Sequence, residues 1–134
     1  RFDPQTNRLS VFLEGGAGVA DESIHLSNPD NISLDTKRNL LVIQEDIVGR
    51  SHGRMPAHAQ DRTINEIYVL DLSKDNPTLD DLQRLVVAPR GAETTGSVWT
   101  PDFSTLFFNV QHPSPANESP YKKPCTVALT GFGK

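Results

Sequence analysis

One cysteine, Cys125, is all this sequence holds, so no disulfide can form within it. A partner thiol elsewhere and the redox compartment both stay open. Clusters of Lys or Arg are missing too, and 13 basic residues are outnumbered by 17 acidic ones, for a formal net charge of -4. That absence excludes the basic footprint by which proteins bind nucleic acid or an anionic membrane. No apolar run approaches the roughly 18 to 20 residues that a membrane-spanning helix needs, and no signal-peptide pattern opens the chain. Helical periodicity is scarce: Thr78 to Asp81 begins at most one helical turn, and nothing after it sustains a helix.

What is present is a repeated hairpin. Asn28-Pro29-Asp30-Asn31-Ile32-Ser33-Leu34-Asp35 leads across a polar turn into Asn39-Leu40-Leu41-Val42-Ile43-Gln44-Glu45-Asp46. A similar pattern recurs 67 positions on, where Asp102 aligns with Asp35, Phe107 and Phe108 with Leu40 and Leu41, Val110 with Ile43, and Gln111 with Gln44. A short strand, an Asp-bearing turn and a longer apolar strand ending in a polar residue form a sheet unit at the spacing of propeller blades.

Four-stranded blades close a ring only when typically four or more are present, and 134 residues hold too few strands for that. The chain also opens with Arg1 inside what reads as a hairpin over Phe2 to Leu13. The expectation is therefore a fragment of a larger all-β protein: a partial β-propeller over residues 1–134, about two blades of it. Ile32 to Ala88 would form one nearly complete blade, flanked by pieces of two others. If the start is elsewhere, the missing leader says nothing about localisation. Leu40 to Gln44 is apolar on both faces and should lie inside the sheet. Glu66 to Leu72 and Leu82 to Ala88 supply the outer strands, Ser97 to Trp99, Leu106 to Gln111 and Cys125 to Leu129 the next blade. Between them, residues 47–63 carry His52, His58, arginines and glycines without periodicity, an insertion loop of the kind that covers a site or docks a partner.

Inner propeller strands end at the central channel, so strand-end polar residues are the place to look for chemistry. Glu45 and Asp46 follow directly on a buried strand, and at least one of them should face the axis. Asn31 opens the preceding strand, and Glu93 lies in the connection into the next blade. Three oxygen donors from two adjacent blades suit a hard cation such as calcium. The plainer reading of each is a turn residue or strand-end cap. His112 offers an imidazole for metal or proton transfer, or a hydrogen-bonded corner. Cys125, at the start of a strand after Pro124, reads as a small buried hydrophobe.

Asn28 to Asn31, Gln44 to Asp46, Arg90-Gly91-Ala92-Glu93-Thr94-Thr95-Gly96, Thr100 to Asp102 and Leu106 to Pro113 occur in an order and spacing that resemble the C-terminal part of PhoX-type alkaline phosphatases. The resemblance spans about residues 28 to 113. It implies a six-bladed propeller whose central site holds calcium and iron and hydrolyses phosphate monoesters. It further implies Glu45 and Glu93 as metal-ligand carboxylates and Arg90 as the basic residue that holds a phosphoryl oxygen. Asn31 is similar to the calcium-binding asparagine of lactonase-like propellers. The iron-binding cysteine of the family has no counterpart in Cys125. Some turns depart from the family pattern: Asp102-Phe103-Ser104, His112-Pro113-Ser114 and Lys37-Arg38-Asn39 stand where glycine-containing turns are usual.

The resulting reading is a metal-dependent phosphate monoester hydrolase seen as its C-terminal blades, partnered by the remaining blades of the same protein. A second reading is a catalytically inactive propeller serving as a structural or interaction subunit of a larger assembly. A third is a calcium-dependent lactonase-like hydrolase.

Overall fold

The computed structural model of the protein describes residues 1–15, 26–47 and 64–132. The strands are β1 (Phe2–Asp3), β2 (Arg8–Leu9), β3 (Pro29–Asp35), β4 (Leu40–Glu45), β5 (Glu66–Asp71), β6 (Gln83–Val87), β7 (Glu93–Trp99), β8 (Thr105–Gln111) and β9 (Cys125–Thr130), with one 3-10 turn at Leu79–Asp81. They make a ribbon β1-β2, a four-stranded sheet in the order β3-β4-β5-β6 and a three-stranded sheet β7-β8-β9. Every pairing is antiparallel between sequence neighbours. Up-and-down antiparallel sheets are the form that propeller blades take, and the chain is an all-β part of a β-propeller. The insertion at residues 47–63 lies outside the described residues apart from Ile47.

Burial on both faces explains why β4 is apolar throughout. One face of the first sheet meets the second sheet in a core of Val42, Ile67, Ala88, Ala92, Leu106, Phe108 and Val110. The other face, with Ile43, Tyr68 and Leu70, packs on Leu26, Leu79 and Leu82, with Phe12 and Leu13 at its margin. Fully burying a Val, Ile or Leu side chain contributes about 1.5–3 kcal/mol. A one-residue slip of β4 would exchange its faces, so this double burial fixes the register. Cys125 is exposed, contrary to the buried hydrophobe expected there. The reason is its place at the end of β9, the last strand of its sheet among the described residues.

Nearer the start of β7 the seam between the sheets turns polar. A bulge between Thr95 and Val98, with Gly96 at φ 64°, frees the Ser97 amide from the ladder. It donates instead to Gln44 Oε1 at 3.0 Å, while the Ser97 hydroxyl donates to Ser33 Oγ at 2.9 Å. Bulges re-aim strands in this way.

The two hairpins are equivalent, but not at the offset read from the sequence. Leu34 pairs with Leu41 and Trp99 with Leu106, an offset of 65 residues (34 to 99, 41 to 106). Thr100, facing Thr105, thus holds the place of Asp35, which faces Leu40. Asp102 lies two residues further into its turn.

The two aspartates accordingly carry different loads. Asp35 is buried; its Oδ1 accepts the Lys37 and Arg38 amides at 2.9 Å each, and its Oδ2 pairs with the Arg38 guanidinium. Arg38 Nη1 also reaches across to Phe103 O at 3.1 Å, joining the two turns. Asp102 is exposed, and hydrogen bonds from Thr100 and Ser104 hold its carboxyl down at about 2. Asp35→Ala should lower stability by about 1–3 kcal/mol, the usual range for leaving buried donors unpaired. Asp102→Ala should lower it by less. Urea denaturation of both variants would read this as a larger drop in midpoint for Asp35→Ala at constant slope.

Candidate metal centre

The ends of three strands from two sheets bring three carboxylates together. Asp30 stands in β3, Asp46 just beyond β4, and Glu93 opens β7. Their ligand oxygens lie within 4.8 Å of one another. Two oxygens bound to one calcium at 2.3–2.6 Å stand at most about 5 Å apart, so a single ion can touch all three. Asp46 Oδ1 is buried and has no hydrogen-bond partner among the described residues. The Glu93 carboxyl is raised above its ordinary value, first by burial and then by the charges of Asp46 and Asp30, with His112 pulling the other way. Self-repelling carboxylates around an unused, buried lone pair fit a hard divalent cation. The oxygen-only donor set is of the calcium type, with no thiolate among the three.

Backbone clamps hold these side chains in place. The Asp46 amide donates to Asn28 O at 3.0 Å, which ties the end of β4 to the start of β3. Buried Asn65 accepts the Ile47 amide on Oδ1 and donates from Nδ2 to Ala92 O, both at 2.8 Å. Its own carbonyl accepts the Ala88 amide at 2.9 Å. One asparagine thereby links the residue after Asp46 to the residue before Glu93. Thr94, also buried, donates its hydroxyl to Glu45 O at 3.4 Å across the same seam.

Of the residues singled out from the sequence, Glu93 falls in this cluster, and so does Asp46, one of the two carboxylates at the end of β4 of which at least one was expected to face the axis. Glu45 does not: it is buried, its Oε1 accepting the Ser27 amide at 2.7 Å and its Oε2 the Glu66 amide at 3.0 Å. The physical reason is alternation, because neighbouring residues of a strand point to opposite sides, and Asp46 takes the outward turn. Asn31 borders the cluster, its Nδ2 donating to the Asp30 carboxylate. Arg90 is exposed, on a turn whose carbonyl accepts the Ser114 amide and Asn117 Nδ2 at 3.0 Å each. Its guanidinium has no ion-pair partner among the described residues. Gly91, at φ 74°, closes that turn, and a Cβ there would stand 3.3 Å from the Ser114 nitrogen. Cys125 is not part of the cluster. Sequence reasoning did not single out Asp30 or Asn65 as site residues. Asp30 was visible as an acid beside Asn31, while Asn65, next to an unpatterned stretch, carried no signal.

Burial pushes the Glu45 carboxyl up to about 8 from an ordinary value of 4.5, against the pull of its two amide donors. Between those pH values the folded protein keeps a proton that the unfolded chain has released. Stability should therefore fall as pH rises from about 4.5 to 8. Denaturation midpoints measured across this range in chelator would show the slope, and Glu45→Gln should flatten it. A slope unchanged by Glu45→Gln would assign it to other groups.

Comparison with curated proteins gives no match. Among solved structures the chain is similar to Pseudomonas fluorescens PhoX in complex with vanadate, a transition state analogue, with 26% sequence identity and a TM-score of 0.55 over 76% of this chain. It spans 17% of that protein's chain. The sequence matches the family described as Alkaline phosphatase PhoX over residues 1–114, most of its length. The chain belongs to the PhoX alkaline phosphatase family.

Proposed function

We propose that the protein bearing this chain is a metal-dependent hydrolase of phosphate monoesters, with Asp30, Asp46 and Glu93 as ligands of a calcium-type cation. The observation that carries the proposal is the approach of three carboxylates to within 4.8 Å around a buried oxygen of Asp46 that has no hydrogen-bond partner among the described residues. Family membership supplies the reaction class. A bound divalent cation neutralises phosphate charge and lowers the pKa of coordinated water.

In this reading each remaining residue has a defined part. Arg90, three positions before Glu93 on a pinned turn, holds a phosphoryl oxygen by paired hydrogen bonds, for which a guanidinium is shaped. Asn31 orients Asp30 through the amide contact between them. Glu45, placed in the interior, acts as a support under Asp46 and not as a ligand. Ile32 and Leu34 on one side and Val98 and Phe107 on the other are exposed apolar residues. They suit packing against further blades of the same protein, which would enclose the site.

Two measurements test the proposal. Terbium luminescence or calorimetry should detect a hard-cation site, weakened at least tenfold by Glu93→Gln and by Asp46→Asn, while Glu45→Gln changes affinity far less. In the polypeptide with all its blades, Arg90→Ala should slow hydrolysis of a chromogenic phosphate monoester by about 10² to 10³, the usual loss when one charge-stabilising group is removed. Residues 1–134 alone should be inactive, because water screens a site open on one side. Cation binding without any hydrolysis by the whole protein would favour the structural-subunit reading.

A further inference from the structure

The turn that carries Arg90 is closed by the Ala92 amide on Pro89 O at 2.9 Å, and of its two central residues Gly91 has the positive φ, 74°. A positive φ at the third residue of a turn marks the type II form. The carbonyl between the central residues, here Arg90 O, then faces away from the turn's own hydrogen bond. Glycine at this place also permits type I, reached by rotating the same peptide over with little movement of the chain on either side. Something outside the turn must therefore choose.

That choice is made by the connection from β8 to β9. Ser114 N and Asn117 Nδ2 both donate to Arg90 O at 3.0 Å. A rotated peptide would present its N–H to these two donors and leave them unpaired. Asn117 is itself held in place: its backbone amide donates to Ser114 O at 3.0 Å, and Nδ2 also donates to Tyr121 O at 3.2 Å. One side chain thus organises residues 114–121 and joins them to the arginine turn. We propose that Asn117 is a positioning residue for phosphate, which locks the peptide between Arg90 and Gly91 and so fixes the backbone from which the Arg90 guanidinium reaches. The proposal rests on the reading of Arg90 as the group that holds a phosphoryl oxygen. A guanidinium forms paired hydrogen bonds only in a defined geometry, and a misplacement of about 1 Å caused far from the chemistry can cost about 10²-fold. Asn117 achieves this without touching substrate.

Inorganic phosphate is the probe, titrated by calorimetry into the cation-loaded protein with all its blades. Asn117→Ala should weaken phosphate binding about fivefold, the equivalent of one lost hydrogen bond. Gly91→Ala, which disfavours the same peptide orientation, should weaken it too. Terbium affinity at the carboxylates should not change in Asn117→Ala; a parallel loss there would mark a general loosening and overturn the inference. In an Arg90→Ala background, Asn117→Ala should add less than about twofold, since its effect passes through that side chain. Phosphate binding that is absent, or unaltered by Arg90→Ala, would remove the reading of Arg90 and this inference with it. Binding weakened by Arg90→Ala but untouched by Asn117→Ala would overturn the inference alone, as would an Asn117→Ala effect of equal size with and without Arg90. If Asn117→Ala does not fold, Gly91→Ala decides, and unchanged phosphate affinity in that variant overturns the inference.

Discussion

Two backbone amides, from Ser27 and Glu66, converge on the carboxylate of Glu45, and the placement of everything near the candidate metal centre follows from that contact. Ser27 leads into β3 and Glu66 opens β5, so one side chain on β4 gathers the starts of both flanking strands. Turned inward by this grip, Glu45 leaves its neighbour Asp46 pointing the other way, towards Asp30 and Glu93. Asn65 extends the same arrangement to the second sheet by joining Ile47 to Ala92. Without these buried polar contacts, three like charges would have no reason to stay together. Each unpaired donor left behind would cost about 1–3 kcal/mol.

Next to Glu45 lies a second buried polar group. The Tyr68 hydroxyl donates to Glu66, which also pairs with Arg84 at 2.7 Å. Burial and the bond to Glu66 push the tyrosine hydroxyl upward. The sequence of polar contacts therefore runs from the outer strand β6, through β5 and β4, to the edge of the metal centre. Polar residues at the mouth of the blade are shared between strands and do not serve as separate caps.

The strands were legible because their apolar patterns and turn residues agree: β4 and β5 read as apolar runs bounded by Asn and Asp, and β8 as an apolar run after the turn that carries Asp102. The repeat was legible in kind but not in register. Strand side chains alternate with period two, so shifting one hairpin by two residues keeps every inward position inward. An alignment at 67 satisfies the pattern as well as the observed 65, and only the turn geometry around Asp35 and Thr100 distinguishes them. The site shows the complementary limit. Family likeness pointed to the acidic end of β4, but Glu45 and Asp46 differ by one position, and one position decides between the interior and the carboxylate cluster. Composition cannot reveal which carboxylate the amides of Ser27 and Glu66 will choose. Asn65 was invisible for a related reason, since its three partners at positions 47, 88 and 92 are distant in sequence.

The Arg38 contact to Phe103 has a mechanical meaning when set against the Asn65 contact to Ala92. One joins the hairpin turns of the two sheets, the other joins them at the opposite strand ends beside the carboxylates. A wedge fastened at a single end can gape like a book, changing the spacing of whatever lies on its open side. Fastened at both, the two sheets resist that opening. The spacing of Asp46 and Glu93, which belong to different sheets, is then set by the pair as one stiff leaf. A ligand arriving there would meet donors already at working distance.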